Sequence, residues 1–251
     1  MSRYLRLEGK RALVTGGANG LGAEIVRTFA LAGATGAALD LAAADSLPEG
    51  WLGLAADVTS EAALHDACAA AVDRLGGRLD LVVAAAGIVP PWRHTEEIDL
   101  DEWDRVFAIN TRGVIATLKH AVPLMNDDGA IVLMASLNAW RGDGNIASYV
   151  ASKHAVLGIA RSAAIDLGRR GIRVNAIAPG PIATEALLSR MQNRAQGGGL
   201  AVEDALTAAA SITSLGRIAT AADVAGTALF LASDLSLGIT GQLLPVDGGL
   251  P

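Results

Sequence analysis

The sequence predicts a doubly wound parallel α/β sheet of about seven strands with helices on both faces, in one domain spanning residues 1–251. Three observations carry that prediction. Short apolar runs alternate with longer stretches of helical period along the whole chain, the order that βαβ units write into a sequence. Several runs are continuously apolar, Leu81-Val82-Val83-Ala84 and Ala130-Ile131-Val132-Leu133-Met134 among them, as strands covered on both faces require. The 251 residues contain no linker, low-complexity tract or internal repeat, which suits one large α/β unit.

Taken in order, strands are expected at 11–15, 36–39, 52–55, 79–84, 130–135, 173–177 and 243–246. The second is assigned from its position, because Thr35-Gly36-Ala37-Ala38-Leu39-Asp40 is poor in β-branched residues. Pro245 lacks a ladder donor, so the last strand belongs at the sheet edge or the residue at a strand end. Helices are expected at 21–31, 60–75, 100–125, 147–168 and 221–232, where alanine is abundant. Thr59-Ser60-Glu61 supplies cap chemistry before the second, and Thr220 with Asp223 before the last. From Pro179 to about Leu206 the pattern turns irregular and is punctuated by Pro181 and Gly197-Gly198-Gly199. It leaves the carboxyl end of a strand, so 181–206 is expected to act as a substrate lid.

Composition excludes several classes. The chain carries 20 basic and 26 acidic residues, a net charge of -6, and offers no basic face for a nucleic-acid backbone. No apolar run approaches the ~18 residues that span a bilayer. The single cysteine, Cys68, permits no intramolecular disulfide and reads as a small buried hydrophobe. The first residues lack a signal-peptide core, and a cytoplasmic location is expected. His65, His94, His120 and His154 show no ligand spacing, so no metal is expected.

The chemistry begins at Thr15-Gly16-Gly17-Ala18-Asn19-Gly20-Leu21-Gly22, between the first strand and the first helix. Glycines at 16, 20 and 22 permit a tight turn and let backbone and helix N-terminus approach a pyrophosphate. Asp40, 18 positions past Gly22 at the end of the next strand, suits the adenosine ribose hydroxyls of a dinucleotide. Its carboxylate would repel the 2′-phosphate of NADP, and Leu41-Ala42-Ala43-Ala44 supplies no cation, so NAD is the expected cofactor. Tyr149 and Lys153 stand four residues apart on an expected helix and project together. A tyrosine titrates near 10 when unperturbed, and an adjacent cation stabilises its phenolate, making it a general acid/base candidate.

From Lys10 to Gly249 the chain resembles the short-chain dehydrogenase/reductase family, in its single-domain branch with a Rossmann-type sheet. The resemblance rests on the glycine loop, Asp57-Val58, the run ending Ala86-Gly87, Asn110, Ser136, Tyr149-Val150-Ala151-Ser152-Lys153, Pro179-Gly180 with Ile182 and Thr184, and the closing Val246-Asp247-Gly248-Gly249. Ser136 lies 13 residues before Tyr149, the family's spacing. The resemblance implies a tetrad of Asn110, Ser136, Tyr149 and Lys153. Ser136 would hold the substrate oxygen and Tyr149 would exchange the proton. Lys153 would bind the nicotinamide ribose and lower the tyrosine pKa. Asn110 would kink its helix and hold a water that links Lys153 to solvent. Asp57 would meet the adenine edge, and Ile182 and Thr184 the carboxamide and nearby phosphate. The other implied cofactor contacts are Gly16, Asn19, Gly20, Leu21, Gly22, Leu41, Val58, Ala85, Gly87, Pro179 and Gly180.

One departure stands out: the family's Asn-Asn-Ala-Gly after the fourth strand reads Ala84-Ala85-Ala86-Gly87. The missing amides are expected to affect cofactor affinity or sheet order modestly and to leave the chemistry intact. The implied reaction is hydride transfer between NAD(H) and a secondary alcohol or ketone. A β-ketoacyl-type reductase using NADPH and a non-catalytic dinucleotide-binding sensor or scaffold are the alternatives. Trp92, Asn138, Trp140 and Leu187 are candidate substrate contacts, with a hydrophobic alcohol, cyclic ones included, expected. Arg93, His94 and Arg141 are the alternative, as ligands for a carboxylate. A homotetramer or homodimer is expected, with no nucleic-acid or membrane partner.

Overall fold

The computed structural model describes residues 5–196 and 198–250, with the backbone alone at 186, 190, 193 and 196. Seven strands form the sheet: β1 (Arg11–Thr15), β2 (Thr35–Asp40), β3 (Trp51–Ala55), β4 (Leu79–Ala84), β5 (Met125–Met134), β6 (Arg173–Pro179) and β7 (Leu243–Val246). They lie in the order β3-β2-β1-β4-β5-β6-β7, and every neighbouring pair is parallel. Among the described residues eight α-helices accompany them: α1 (Gly20–Leu31), α2 (Glu61–Arg74), α3 (Leu100–Phe107), α4 (Gly113–Ala121), α5 (Ala147–Leu167), α6 (Glu185–Gln196), α7 (Val202–Ser211) and α8 (Ala221–Ala232).

The continuous apolar runs are explained by two cores. Leu13, Val82, Ile131 and Leu133 face one side and pack with Leu64 of α2, Val114 of α4 and Val156 of α5. Their chain neighbours Ala12, Val14, Leu81, Val83 and Val132 face the other, against Ile25 and Phe29 of α1 and Val224 and Leu229 of α8. A strand with both faces covered has no polar position to spare. Cys68 is fully buried in the first core, and burial pushes its thiol up to about 11.

Ser60 caps α2 by accepting from Ala63 N, and Thr220 with Asp223 forms a reciprocal capping box on α8. β7 is an edge strand, where Pro245 forfeits no ladder bond to an outer neighbour.

Three expectations are corrected. The helix expected over 100–125 is broken into α3, a π-helical stretch Ala108–Arg112, α4 and a 3-10 turn Val122–Leu124. The π stretch widens where the Asn110 side chain binds the Ile88 backbone, and the 3-10 turn holds Pro123, which cannot continue a helix. β5 begins at Met125 because Leu79 pairs with Met125 before the register shifts toward Leu81–Ala130. Within 181–206, expected to be irregular, the chain forms α6 and the first half of α7; Glu185 and Glu203-Asp204 favour their first turns. Gly197, part of that expectation, lies outside the described residues.

Parallel strands send all their carboxyl ends to one edge. The chain steps from β1 outward to β2 and β3, then returns to β4 on β1's other side. Such a reversal opens a crevice above the β1 and β4 ends, and the site lies there.

Candidate active site

A cavity of about 1130 Å³ runs along the carboxyl ends of the strands. Its floor is the glycine loop. A Cβ on Gly22 would lie 2.0 Å from Gly16 O, and one on Gly16 would lie 2.8 Å from the Ala86 backbone. Only hydrogens fit there, so helix α1 starts against the sheet with its N-terminus toward the cavity. Asn19, at the N-cap, makes no side-chain cap bond, and the first turn holds no acid. The helix end is therefore left open to an anionic ligand such as a dinucleotide's pyrophosphate.

Asp40 ends β2 beside this loop. Its Oδ2 accepts from Ala18 N at 3.0 Å and its Oδ1 from Leu41 N at 2.9 Å. The two amides fix a carboxylate on the cavity wall. Asp57 is held similarly: Oδ1 accepts from Thr59 N and Thr59 Oγ1, both at 2.8 Å. Loop, carboxylates and cavity together fit a dinucleotide.

On the opposite wall, α5 presents Tyr149 and Lys153. Lys153 is only 4% exposed and donates from Nζ to Met134 O at 2.8 Å. Burial alone pushes its ammonium down to about 8. The Nζ lies 5.6 Å from the centre of the Tyr149 ring. Ser136, just past β5, accepts from Asn138 N at 3.2 Å and opens onto the same cavity. A phenol beside a poorly hydrated cation, with a hydroxyl across the cavity, can pass a proton to or from a bound oxygen.

Asn110 is fully buried in the π stretch. Its Oδ1 accepts from Ile88 N at 2.8 Å, and its Nδ2 donates to Ile88 O at 2.9 Å and Ser152 Oγ at 3.2 Å. A Cβ on Gly87 would lie 3.3 Å from Asn110 Oδ1 and 3.5 Å from Lys153 Nζ, so the bare glycine lets the loop after β4 pack closely against both.

The structure brings nearly every expected site residue to this cavity. Gly16, Asn19, Gly20, Leu21, Gly22, Asp40, Leu41, Asp57 and Val58 line one end. Ala85, Gly87, Pro179, Gly180, Ile182 and Thr184 line the middle, with Ser136, Tyr149 and Lys153. Trp92, Asn138 and Leu187 line the far end. Two expected residues do not line it. Asn110 sits behind the wall, and Trp140 turns to the surface, 45% exposed, where the 3-10 turn Leu137–Ala139 ends. Of the three side chains considered for a carboxylate, Arg93 lies 3.5 Å from Glu102, and neither it nor His94 or Arg141 lines the cavity.

Other lining residues escaped the sequence reading. Asp143 accepts from Asn138 Nδ2 at 3.3 Å, and Arg194 of α6 stacks 4.6 Å over the Trp92 ring. Leu200, Ala205, Ala208 and Ala209 come from α7 and its approach. The helical spacing of the three alanines was the available signal. Ala84 and Ala85, where the resemblance led to asparagines, leave the sheet ordered. Thr15 pairs with Ala84, and Thr15 O accepts from Ala85 N at 3.2 Å. Among the described residues no group of His, Cys, Asp and Glu gathers to hold a metal ion. No helix among them is long and apolar enough to cross a membrane.

Comparison with known proteins agrees with this geometry. The family model described as enoyl-(acyl carrier protein) reductase matches residues 16–251. Short-chain dehydrogenase reductase 3c of Arabidopsis thaliana is 38% identical over 257 aligned positions, covering 98% of this chain and 95% of the relative. (+)-Borneol dehydrogenase 2 of Salvia officinalis is 36% identical, with 98% and 90% covered. The crystal structure of carveol dehydrogenase from Mycobacterium avium in complex with NAD superposes with a TM-score of 0.87 at 30% identity, covering 97% of this chain and 98% of that one. The chain therefore belongs to the short-chain dehydrogenase/reductase family of oxidoreductases.

Proposed function

We propose that this protein transfers a hydride between NAD(H) and a secondary alcohol or ketone, with Tyr149 as the acid/base. The observation that carries the reading is the buried Lys153 ammonium beside the Tyr149 ring, on the wall of a cavity whose other end is a glycine loop and a fixed carboxylate. Bound NAD supplies the hydride acceptor. The remaining work falls to side chains. Ser136 orients the substrate oxygen by a hydrogen bond, and Tyr149 removes its proton as the C–H bond gives up its hydride; the reverse direction returns both. Lys153 stabilises the phenolate that accepts this proton. Asp40 supports the choice of NAD, since its charge meets ribose hydroxyls favourably and a 2′-phosphate unfavourably.

The substrate end favours an apolar alcohol. Trp92, Leu187, Met191, Leu200 and the α7 alanines line it, and one relative carries the name borneol dehydrogenase and another carveol dehydrogenase. Helices α6 and α7 act as its lid within one oxidoreductase domain. Alanines 147, 151 and 155 and Gly158 of α5 suit close helix packing between subunits of a homotetramer or homodimer. The test is a panel of cyclic and linear secondary alcohols offered with NAD or NADP, read as reduced cofactor at 340 nm. NAD-dependent turnover on cyclic members is expected; a strong NADP preference, or no turnover across the panel in either direction, would overturn the reading.

A further inference from the structure

We infer that Arg112 is a positioning residue that ties the adenine end of the cofactor site to the turn carrying Asn110. The inference rests on the cofactor reading above and concerns a side chain that neither lines the cavity nor belongs to the tetrad.

The π-helical stretch Ala108–Arg112 turns two of its side chains toward two different walls of the cavity. Asn110 holds the strand-end loop after β4 through both polar groups of Ile88. Arg112 reaches the loop after β3, donating from Nη1 to Thr59 O at 2.7 Å. Thr59 in turn donates through its amide and hydroxyl to Asp57 Oδ1. One guanidinium therefore braces the carboxylate that faces the adenosine half of the cavity.

The next residue reinforces the contact. A Cβ on Gly113 would lie 2.8 Å from Val58 Cγ2, so the glycine lets the Asp57-Val58-Thr59 turn lean directly on the helix. A second link comes from Glu61, 3.7 Å from Arg112 Nη2 and also paired with Lys119 and His120 of α4. The Glu61 carboxyl is held below its usual range, first by the hydrogen bond from Lys119. Arg112 is about half exposed and its ion pair with Glu61 is worth little by itself. The short bond to the Thr59 carbonyl is different, because an aspartate with no other side-chain tether among the described residues depends on where that turn sits.

The prediction is selective for the adenosine half. Arg112→Ala raises the KM for NAD and the inhibition constant of ADP-ribose by about fivefold, the effect of losing one charge-assisted hydrogen bond. It leaves kcat at saturating NAD and the pH profile of kcat in place, and Arg112→Lys restores most of the affinity. Unchanged KM and inhibition constant would overturn the inference. So would a parallel loss of kcat and thermal stability that lysine does not rescue, since that marks a general packing role. The unaltered protein is titrated with NADH alongside: if it binds none, the cofactor reading itself fails, whereas NADH binding with unaltered Arg112→Ala constants refutes the bracing role alone.

Discussion

Lys153 carries a charge that the fold disfavours, and replacing it with methionine exposes that penalty. Its ammonium titrates near 8 in the native protein against 10.5 for the free side chain. Between those values the unfolded chain binds more protons than the folded one, so stability rises with pH across the window. Below pH 8 both states are protonated and the native state bears the full penalty, about 3 kcal/mol for a shift of this size. By pH 10 about 2–3 kcal/mol of it is relieved. Methionine fills similar volume without the charge, and leaves Met134 O unpaired, an offset of about 1–3 kcal/mol that does not depend on pH. The assay is urea unfolding of the cofactor-free protein and of Lys153→Met at pH 7 and pH 10. The stability of the unaltered protein relative to the variant is expected to rise by about 2–3 kcal/mol between the two. Turnover of the variant falls by about 10²–10⁴ because the phenolate loses its cation. A stability difference that stays constant with pH would refute the reasoning, because it would mean that burial does not depress the ammonium.

Two further outcomes follow from single side chains. Asp40→Ala removes the acceptor for two backbone amides and the charge that opposes a 2′-phosphate; the ratio of kcat/KM for NAD over NADP is expected to fall by about 10–100-fold in parallel assays. Asn110→Ala strands the Ile88 N–H and C=O, and a loss of about 2–4 kcal/mol is expected in urea unfolding.

The parts of this site readable from sequence are those where one atom of freedom matters. Gly16 and Gly22 face backbone at distances no Cβ survives, so the loop announces itself. Tyr149 and Lys153 were legible because a helix places every fourth residue on one face. The break at 108–112 was not, because Ala-Ile-Asn-Thr-Arg is compatible with an α-helix. What opens it is the fit of Asn110 to a backbone 22 positions away. Helices α6 and α7 are hidden in the sequence, where the glycines at 197–199 suggest one irregular loop. Trp140 follows Ser136 by only four residues, yet the short turn after β5 carries it outward. Arg194 over Trp92 joins α6 to the loop after β4, a pairing that only the tertiary arrangement creates.

In the proposed reaction Tyr149 moves the proton while NAD takes the hydride. Its most direct test compares the unaltered protein with Tyr149→Phe on the best alcohol of the panel, measuring NADH binding by fluorescence and turnover at 340 nm. NADH affinity within about twofold of the unaltered protein is expected, with turnover lower by about 10²–10⁴. Turnover within a few-fold of the unaltered protein, with NADH still bound, would contradict it.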